Sequence, residues 1–87
     1  MSKETLKVTV LFFAATRERT GCREASLTLD APSTLLDLKT TLYTRHPKLL
    51  ELDGYVRWAL NERFEPNFER ALNSGDVVAL IPPISGG

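Results

Sequence analysis

The residue types that perform most protein chemistry are sparse in this chain of 87 residues. His46, the one histidine, precedes a proline at an expected helix end, so it is expected to interact with the last backbone carbonyls. Cys22, the one cysteine, has no second histidine to activate it and is expected to be a buried or half-buried small apolar residue. Four carboxylates of the C-terminal half fall on separate turns rather than facing one another: Glu62, Glu65, Glu69 and Asp76. These residues do not predict a self-contained enzyme.

The sequence also lacks the motifs and the net charge that are typical of proteins that bind metals, cofactors, nucleic acids or membranes. No Cys/His set has zinc spacing and no glycine-rich loop precedes a helix, so we expect neither a metal nor a bound cofactor. Eleven basic and eleven acidic residues give a formal charge of zero, which argues against nucleic acid and anionic membranes as partners. The longest apolar stretch, residues 8–15, is too short to span a bilayer, and a lone cysteine fits a reducing compartment. We therefore expect a cytoplasmic protein.

The remaining candidate for chemistry is the terminal carboxylate. Two prolines fix φ at about −65° and remove two backbone donors, so a strand must stop there, and the glycines that follow have no Cβ to obstruct a narrow passage. Condensation of a carboxylate with ATP gives a mixed anhydride with AMP, which a sulfur nucleophile can convert into a thioester or thiocarboxylate. We expect an extended tail that reaches another protein's active site, made of Pro82, Pro83, Ile84, Ser85, Gly86 and Gly87. The alternative is an inert chain end.

The hydrophobic pattern predicts five strands and one main helix that would position this tail. The first half is predicted to contain a strand at 6–13, a short helix at 14–20 ended by Gly21, a strand at 24–29 and the main helix from Ser33 or Thr34 to Arg45-His46. The second half is predicted to contain a helical turn at 48–53 closed by Gly54, a strand at 55–60, a tight turn at 61–63, a return strand at 64–68 and a strand at 77–81. The last strand is continuously apolar, so we expect it to be buried on both faces.

These elements predict an α+β roll, a mixed sheet packed on one main helix, with the first and last strands adjacent at its centre. The domain would cover residues 1–81 and the tail residues 82–87. Phe13 is ambiguous, because Leu6, Val8, Val10 and Phe12 already supply one apolar face of the first strand. The residues alone favour burial of Phe13 beneath a neighbouring helix over exposure to a partner.

Several segments resemble the small, sulfur-carrying subunit of molybdopterin synthase. They are Val-Thr-Val-Leu-Phe-Phe-Ala at 8–14, Arg-His-Pro at 45–47, Ala-Leu-Asn at 59–61, Ser-Gly-Asp at 74–76, and the apolar strand with Pro-Pro-Ile-Ser-Gly-Gly at 77–87. The resemblance extends over nearly the whole chain and is most specific in the last of these segments. The opening strand and the Asn turn are shared more widely among ubiquitin-like β-grasp carriers.

The resemblance implies a ubiquitin-like β-grasp fold and a sulfur-transfer cycle. An ATP-dependent adenylyltransferase would activate Gly87 as an acyl-adenylate, and sulfur transfer would convert it to a thiocarboxylate. The tail would then enter the large synthase subunit and donate sulfur to cyclic pyranopterin monophosphate, in molybdenum cofactor biosynthesis. The catalytic side chains would belong to the large subunit, in a heterotetramer with two copies of each chain.

The resemblance also places a hydrophobic contact patch at Phe13, Phe64 and Ile81, which reverses the interpretation of Phe13 toward a partner surface. Two alternatives use the same activation step. One is a ubiquitin-like modifier joined to lysines of target proteins through Gly87, and the other is a sulfur carrier for thiamine thiazole synthesis.

Overall fold

Two parallel strands, one from each half of the chain, form the centre of a five-stranded sheet. The computed structural model describes residues 4–83, and the predicted tail residues Ile84, Ser85, Gly86 and Gly87 lie outside that range. The elements in chain order are β1 (Thr5–Phe12), α1 (Ala15–Thr20), β2 (Glu24–Asp30), α2 (Leu35–Arg45), a 3₁₀ helix (Pro47–Leu52), β3 (Arg57–Leu60), β4 (Arg63–Phe64) and β5 (Val77–Ile81).

The strands lie in the order β2-β1-β5-β3-β4. β1 is antiparallel to β2 and parallel to β5, while β3 is antiparallel to both β5 and β4. The predicted mixed sheet, with the first and last strands adjacent at its centre, is therefore confirmed. Because β5 is a central strand, the chain leaves the middle of the sheet at Pro82.

One face of the sheet packs against α2, as the spacing of leucines in that helix predicts. Leu35, Leu38 and Leu42 are fully buried, and each such burial stabilises the fold by about 1.5–3 kcal/mol. Together with these three leucines, the core consists of Val8, Val10, Phe12, Leu27, Leu29, Leu49, Trp58, Leu60, Leu72, Val78 and Leu80. The predicted phase of β1, with Val8, Val10 and Phe12 facing inward, is confirmed.

Sequence signals within one turn determine both ends of α2 and the end of α1. Thr34 is the N-cap of α2, where its hydroxyl accepts from the Asp37 N–H and the Asp37 carboxylate accepts from the Thr34 N–H. α2 ends at Arg45, directly before the His46-Pro47 step, as predicted. Gly21 ends α1 at φ 76°, a left-handed value that favours glycine. Within residues 4–83, no helix is long and apolar enough to cross a lipid bilayer.

Three predicted features differ from the structure. β3 begins at Arg57 rather than Tyr55, because the Tyr55 N–H donates to the Leu52 carbonyl at 2.9 Å and prolongs the 3₁₀ turn. β4 covers only residues 63–64 rather than 64–68, since Pro66 lacks an N–H and the Asn67 side chain accepts from the Glu69 N–H in a local turn.

The third difference concerns the outer face of β5, which was expected to be buried. Its alternate residues Val78 and Leu80 are fully buried, but Val77, Ala79 and Ile81 are only half-buried. The main helix covers one face of the sheet, and within residues 4–83 no second layer encloses the opposite face at β5. β5 is therefore apolar on both sides although only one side is covered within these residues, so burial on both faces does not explain its sequence.

Candidate functional site

The candidate site begins where β5 ends. Pro82 is half-buried and Pro83 is exposed, so the chain separates from the sheet within two residues of Ile81. Neither proline has a backbone N–H to pair with a neighbouring strand. The expected reactive end, Gly87, and the expected threading residues 84–86 follow at once in sequence, outside the described residues.

A buried hydroxyl fixes the corner beside this exit point. Thr16 is fully buried, and its Oγ1 accepts from the Phe13 N–H at 2.8 Å and donates to the Phe13 carbonyl at 2.7 Å. The same oxygen lies 3.4 Å from the Leu80 carbonyl oxygen, so the β1–α1 corner touches the end of β5. Thr16 thereby positions Phe13 next to the base of the tail.

The corner is a type II′ turn from Phe13 to Thr16. The Thr16 N–H donates to the Phe13 carbonyl at 3.0 Å, and Ala14 has φ 49° and ψ −122°. A positive φ at a residue with a Cβ costs on the order of 1–3 kcal/mol, and the Thr16 hydrogen bonds hold the backbone there. The turn directs Phe13 outward, and its side chain is 40% exposed. The interpretation of Phe13 as a residue buried beneath a helix is therefore wrong.

Phe13 belongs to a continuous apolar surface on the uncovered face of the sheet. The strand pairings place Leu11 beside Ala79, Ala79 beside Ala59, and Ala59 beside Phe64, so these four residues form one row across β1, β5, β3 and β4. We call the following set the apolar patch: Leu11, Phe13, Ala59, Phe64, Val77, Ala79 and Ile81. Together with Glu62 they line a shallow groove of about 290 Å³.

The apolar patch contains all three predicted contact residues. Phe13 is 40% and Phe64 50% exposed, while Ile81 is half-buried at the exit of the tail. An exposed cluster of large apolar side chains on a small domain is typical of a protein interface rather than a catalytic centre. Three further residues of the patch were not predicted: Leu11, Val77 and Ala79. The sequence contains a signal for them, since the end of β1 and the whole of β5 are apolar on both faces.

A second groove of about 590 Å³ lies at the base of the tail, on the side of α1. It is lined by Ala14, Ala15, Glu18, Leu52, Tyr55, Pro82 and Pro83. Tyr55 is 67% exposed there, and the sequence analysis missed it because it was assigned to a strand. Pro82 and Pro83 thus line this groove, whereas the preceding residue, Ile81, lines the groove of the apolar patch.

Three of the candidate side chains from the sequence have structural partners in the fold: His46, Cys22 and Asp76. The His46 ring packs edge-on against Phe12 with 6.0 Å between centroids, while its backbone N–H, rather than the ring, caps the Leu42 carbonyl. Cys22 is half-buried against the core, as predicted. The buried Asp76 carboxylate accepts from the Asn61 side chain and the Asn73 N–H. Within residues 4–83, no group of three or more His, Cys, Asp or Glu side chains could hold a metal ion.

Comparison with known proteins shows full-length relatives. The family model described as the ThiS family matches residues 10–87. The chain is similar to the molybdopterin synthase sulfur carrier subunit of Chlamydomonas reinhardtii, with 36% identity over 94% of this chain and 100% of the relative. It is also similar to the molybdopterin synthase sulfur carrier subunit of Homo sapiens, with 34% identity over 93% of this chain and 94% of the relative.

Solved structures of similar proteins superpose closely on this chain. The putative molybdopterin converting factor subunit 1 of Pyrococcus furiosus superposes with a TM-score of 0.83 at 31% identity, over 91% of this chain and 99% of that one. SAMP1 of Haloferax volcanii gives a TM-score of 0.83 at 28% identity, over 93% of this chain and 99% of that one. These likenesses and the observed topology confirm the ubiquitin-like β-grasp fold.

A third similar structure contains a complex. It is the protein–protein complex of subunits 1 and 2 of the molybdopterin-converting factor of Helicobacter pylori, with a TM-score of 0.71 and 28% identity. The match covers 94% of this chain and 100% of that one.

Proposed function

Because this chain belongs to the ThiS family, we propose that it is the sulfur carrier subunit of a molybdopterin synthase. The observation that carries the proposal is the exit of the tail from a central strand directly beside an uncovered apolar patch. A protein that binds the patch is then positioned to receive the tail in its own active site.

The proposed chemistry takes place at the Gly87 carboxylate and is performed by other proteins. An ATP-dependent adenylyltransferase joins the carboxylate to AMP and releases pyrophosphate. Hydrosulfide, delivered by a sulfur donor, then attacks the acyl carbon, expels AMP and leaves a thiocarboxylate. This chain needs no catalytic side chain of its own for either step, and we propose that it is a non-catalytic subunit and a sulfur-donating cosubstrate.

In the next step, we propose that the thiocarboxylated tail enters the large synthase subunit and donates sulfur to cyclic pyranopterin monophosphate. Pro82 and Pro83 direct the tail away from the sheet, and Gly86-Gly87 present no side chain to a narrow passage. Extended residues span about 3.3–3.6 Å each, so residues 82–87 reach on the order of 20 Å. That length is sufficient to cross from one small domain into a cleft of another.

The apolar patch is the proposed contact with the large subunit, through Phe13, Phe64 and Ile81. The complex of subunits 1 and 2 of the Helicobacter pylori protein supports a partner of this kind. We propose that the assembly is a heterotetramer with two copies of each chain, working in the cytoplasm. No partner role is proposed for nucleic acid, membrane or a bound cofactor.

Two other functions use the same fold and the same activation of Gly87. SAMP1, the small archaeal modifier protein 1 of Haloferax volcanii, is a structural neighbour and supports the alternative of a protein modifier joined through Gly87 to lysines. The ThiS family match supports the alternative of a carrier for thiamine thiazole synthesis. The molybdopterin synthase assignment of the relatives favours the first proposal over both.

Deletion of Gly86 and Gly87 tests the proposal. Because the apolar patch lies outside the deleted residues, the shortened chain should still bind the large subunit, with its affinity unchanged within about threefold. It should not support conversion of cyclic pyranopterin monophosphate to molybdopterin, because it cannot place a thiocarboxylate in the active site. The measurement is molybdopterin formation in a reconstituted reaction with the activating enzyme and a sulfur source.

The full-length chain is the control for that reaction. A full-length chain that neither binds the large subunit nor supports molybdopterin formation would contradict the proposed function. Equal activity of the full-length and shortened chains would contradict the role of the tail.

A further inference from the structure

On the β3 side of the apolar patch, one charged side chain lies at each of its two ends. Arg57 pairs with Ile81 across β3 and β5, at the end where the tail leaves. Glu62 lies in the turn after β3, where the neighbouring Asn61 N–H donates to the carbonyl of Val77, the first residue of β5. A cation therefore marks the tail end of the patch, and an anion marks the opposite end.

Among residues 4–83, the Arg57 guanidinium is held by an aromatic ring rather than by a carboxylate. Its central carbon lies 3.7 Å from the centroid of the Phe64 ring, a stacked cation–π contact. Glu65, which lines the same corner, pairs with Arg70 at 3.5 Å instead. Within residues 4–83, neither Arg57 nor Glu62 has an ion-pair partner.

A stacked guanidinium is well suited to receive a carboxylate. Stacking covers one face of the planar group but leaves its N–H donors directed outward in the plane, where they match the two oxygens of a carboxylate. Phe64 also restricts the rotamers of Arg57, so less conformational entropy is lost when a partner binds. Arg57 is exposed, and it lies at the edge of the groove rather than inside it.

Apolar contact alone does not define a docking direction. The row formed by Leu11, Ala79, Ala59 and Phe64 consists of hydrocarbon, and burial of hydrocarbon is not directional. Opposite charges at the two ends favour one docking direction, because a partner bound in the reversed direction would place like charges next to each other. The direction matters here because the tail leaves from one end of the patch only.

We propose that Arg57 and Glu62 determine the orientation in which the large subunit docks. The partner surface that covers the apolar patch has a carboxylate opposite Arg57, at the tail end, and a basic group opposite Glu62. This inference rests on the proposed function, since it takes the large subunit as the partner. It adds two specificity-determining residues that are separate from the hydrophobic contacts at Phe13, Phe64 and Ile81.

Binding of the purified large subunit to neutralised variants tests the proposal. Arg57→Gln should weaken the affinity on the order of tenfold at low salt, and Glu62→Gln should weaken it in the same direction. Both losses should shrink at high salt, because ions screen the charge pairs at the rim. Arg57→Lys keeps the charge and should recover part of the loss. Calorimetric titration at two salt concentrations measures all of these affinities.

Arg63→Gln is the matched control. Arg63 lies in the same hairpin and has the same charge, but it pairs with the inward-facing Leu60, so it belongs to the opposite face of the sheet from Phe64. It should bind with the affinity of the wild type. Thermal unfolding of each variant, with unchanged melting temperature expected, excludes loss of fold as the cause of weaker binding.

The outcomes separate this inference from the proposed function. Strong wild-type binding that Arg57→Gln and Glu62→Gln leave unchanged, or weaken no more than Arg63→Gln does, would overturn the orientation role and leave the proposed function intact. Loss of affinity in Arg57→Lys equal to that in Arg57→Gln would also overturn it, because the charge would then not be responsible. No binding of the wild type would overturn both.

Discussion

Phe13 faces solvent because of the turn that follows it. Ala14 takes a left-handed φ of 49°, and the buried Thr16 hydroxyl bonds both polar groups of the Phe13 backbone. Those bonds, together with the backbone hydrogen bond from the Thr16 N–H to the Phe13 carbonyl, hold an alanine in a conformation that favours glycine. Thr16 is therefore a positioning residue for the surface beside the tail.

Replacing Phe13 by aspartate should separate binding from folding. Its side chain is 40% exposed and the core side of β1 is already filled, so the free energy of unfolding should fall by about 1 kcal/mol or less. A charge in the centre of an apolar interface should weaken binding of the large subunit by about 30-fold or more. Titration calorimetry gives the affinity, and urea denaturation gives the stability.

Thr28→Asp is the control for this substitution. Thr28 is exposed on β2 and pairs with Lys7, so the same charge is added on the same face of the sheet but away from the apolar patch. Its affinity should equal that of the wild type. Unfolding of Phe13→Asp without a selective binding defect would contradict the interface role and restore a core role for Phe13.

At the scale of residues, the sequence predicted inward-facing side chains better than outward-facing ones. Val8, Val10 and Phe12 follow from alternation, since one phase of β1 has to face the core. Alternation did not settle the orientation of Phe13, because the last residues of the predicted strand, Leu11 to Phe13, are apolar on both faces. Arg57 was not predicted as part of a surface, because its position next to Ile81 depends on the register between strands about twenty residues apart.

At the scale of elements, the best-predicted parts are those with local signals. The α2 N-cap at Thr34, its end before Pro47 and the left-handed Gly21 each follow from residues within one turn. The start of β3 and both ends of β4 were wrong because they depend on competing turns, whereas the end of β3 at Leu60 was predicted correctly. The 3₁₀ turn includes Tyr55 and the Asn67 turn excludes residues 65–68 from β4.

A polar cluster ties the loop after the 3₁₀ helix to α2. Tyr43 donates to the Asp53 carboxylate at 2.9 Å, and the Lys39 ammonium lies 3.2 Å from the same oxygen. Lys39 also lies 4.7 Å from the centroid of the Phe68 ring. The hydrogen bond from Tyr43, followed by that from Lys39, lowers the pKa of Asp53, while burial and then the Asp53 hydrogen bond raise the pKa of Tyr43.

This cluster predicts a pH dependence of stability. The pKa of Asp53 is lower in the folded chain than in the unfolded chain, so its ionised form stabilises the fold above the ordinary value of about 3.9. That contribution is lost as the pH falls through the lowered pKa. Asp53→Asn should therefore be less stable than the wild type at neutral pH, and the difference should shrink in acid. Urea denaturation of both proteins at neutral pH and at an acidic pH measures this difference in the free energy of unfolding.

Glu69→Gln is the control for the acid titration. Glu69 is exposed, and within residues 4–83 its side chain makes no hydrogen bond or ion pair. It should have the stability of the wild type throughout the range. A stability difference for Asp53→Asn that stays constant from neutral to acidic pH would contradict the role of the ionised carboxylate.

At the scale of the whole molecule, the hydrophobic core and the proposed binding surface lie on opposite faces of the sheet. α2 and the core lie on one side of the sheet, while the apolar patch and the charges at its ends lie on the other. The parallel pairing of β1 with β5 brings Phe13, Ile81 and Pro82 to the same end of the sheet. Sequence order and hydrophobicity predicted this central pair, but they did not predict which face would remain uncovered.

The uncovered face could not be predicted because burial is a property of the assembled sheet. Continuous apolar strands are normally covered on both sides, and β5 has that pattern. In this domain, the second covering is proposed to come from another protein. The proposed role of a carrier requires a surface that binds the partner, and it requires no catalytic side chains on the carrier itself.

Intact-mass analysis of the protein purified from its own cells tests the central claim most directly. We predict a species in which one oxygen is replaced by sulfur, located by fragmentation to Gly87, and its loss on incubation with the large subunit and cyclic pyranopterin monophosphate. A chain whose Gly87 has only an unmodified carboxylate in cells that make the cofactor would contradict the account. Gly87 joined to lysines of other proteins, with no sulfur-containing species, would contradict it in favour of a modifier.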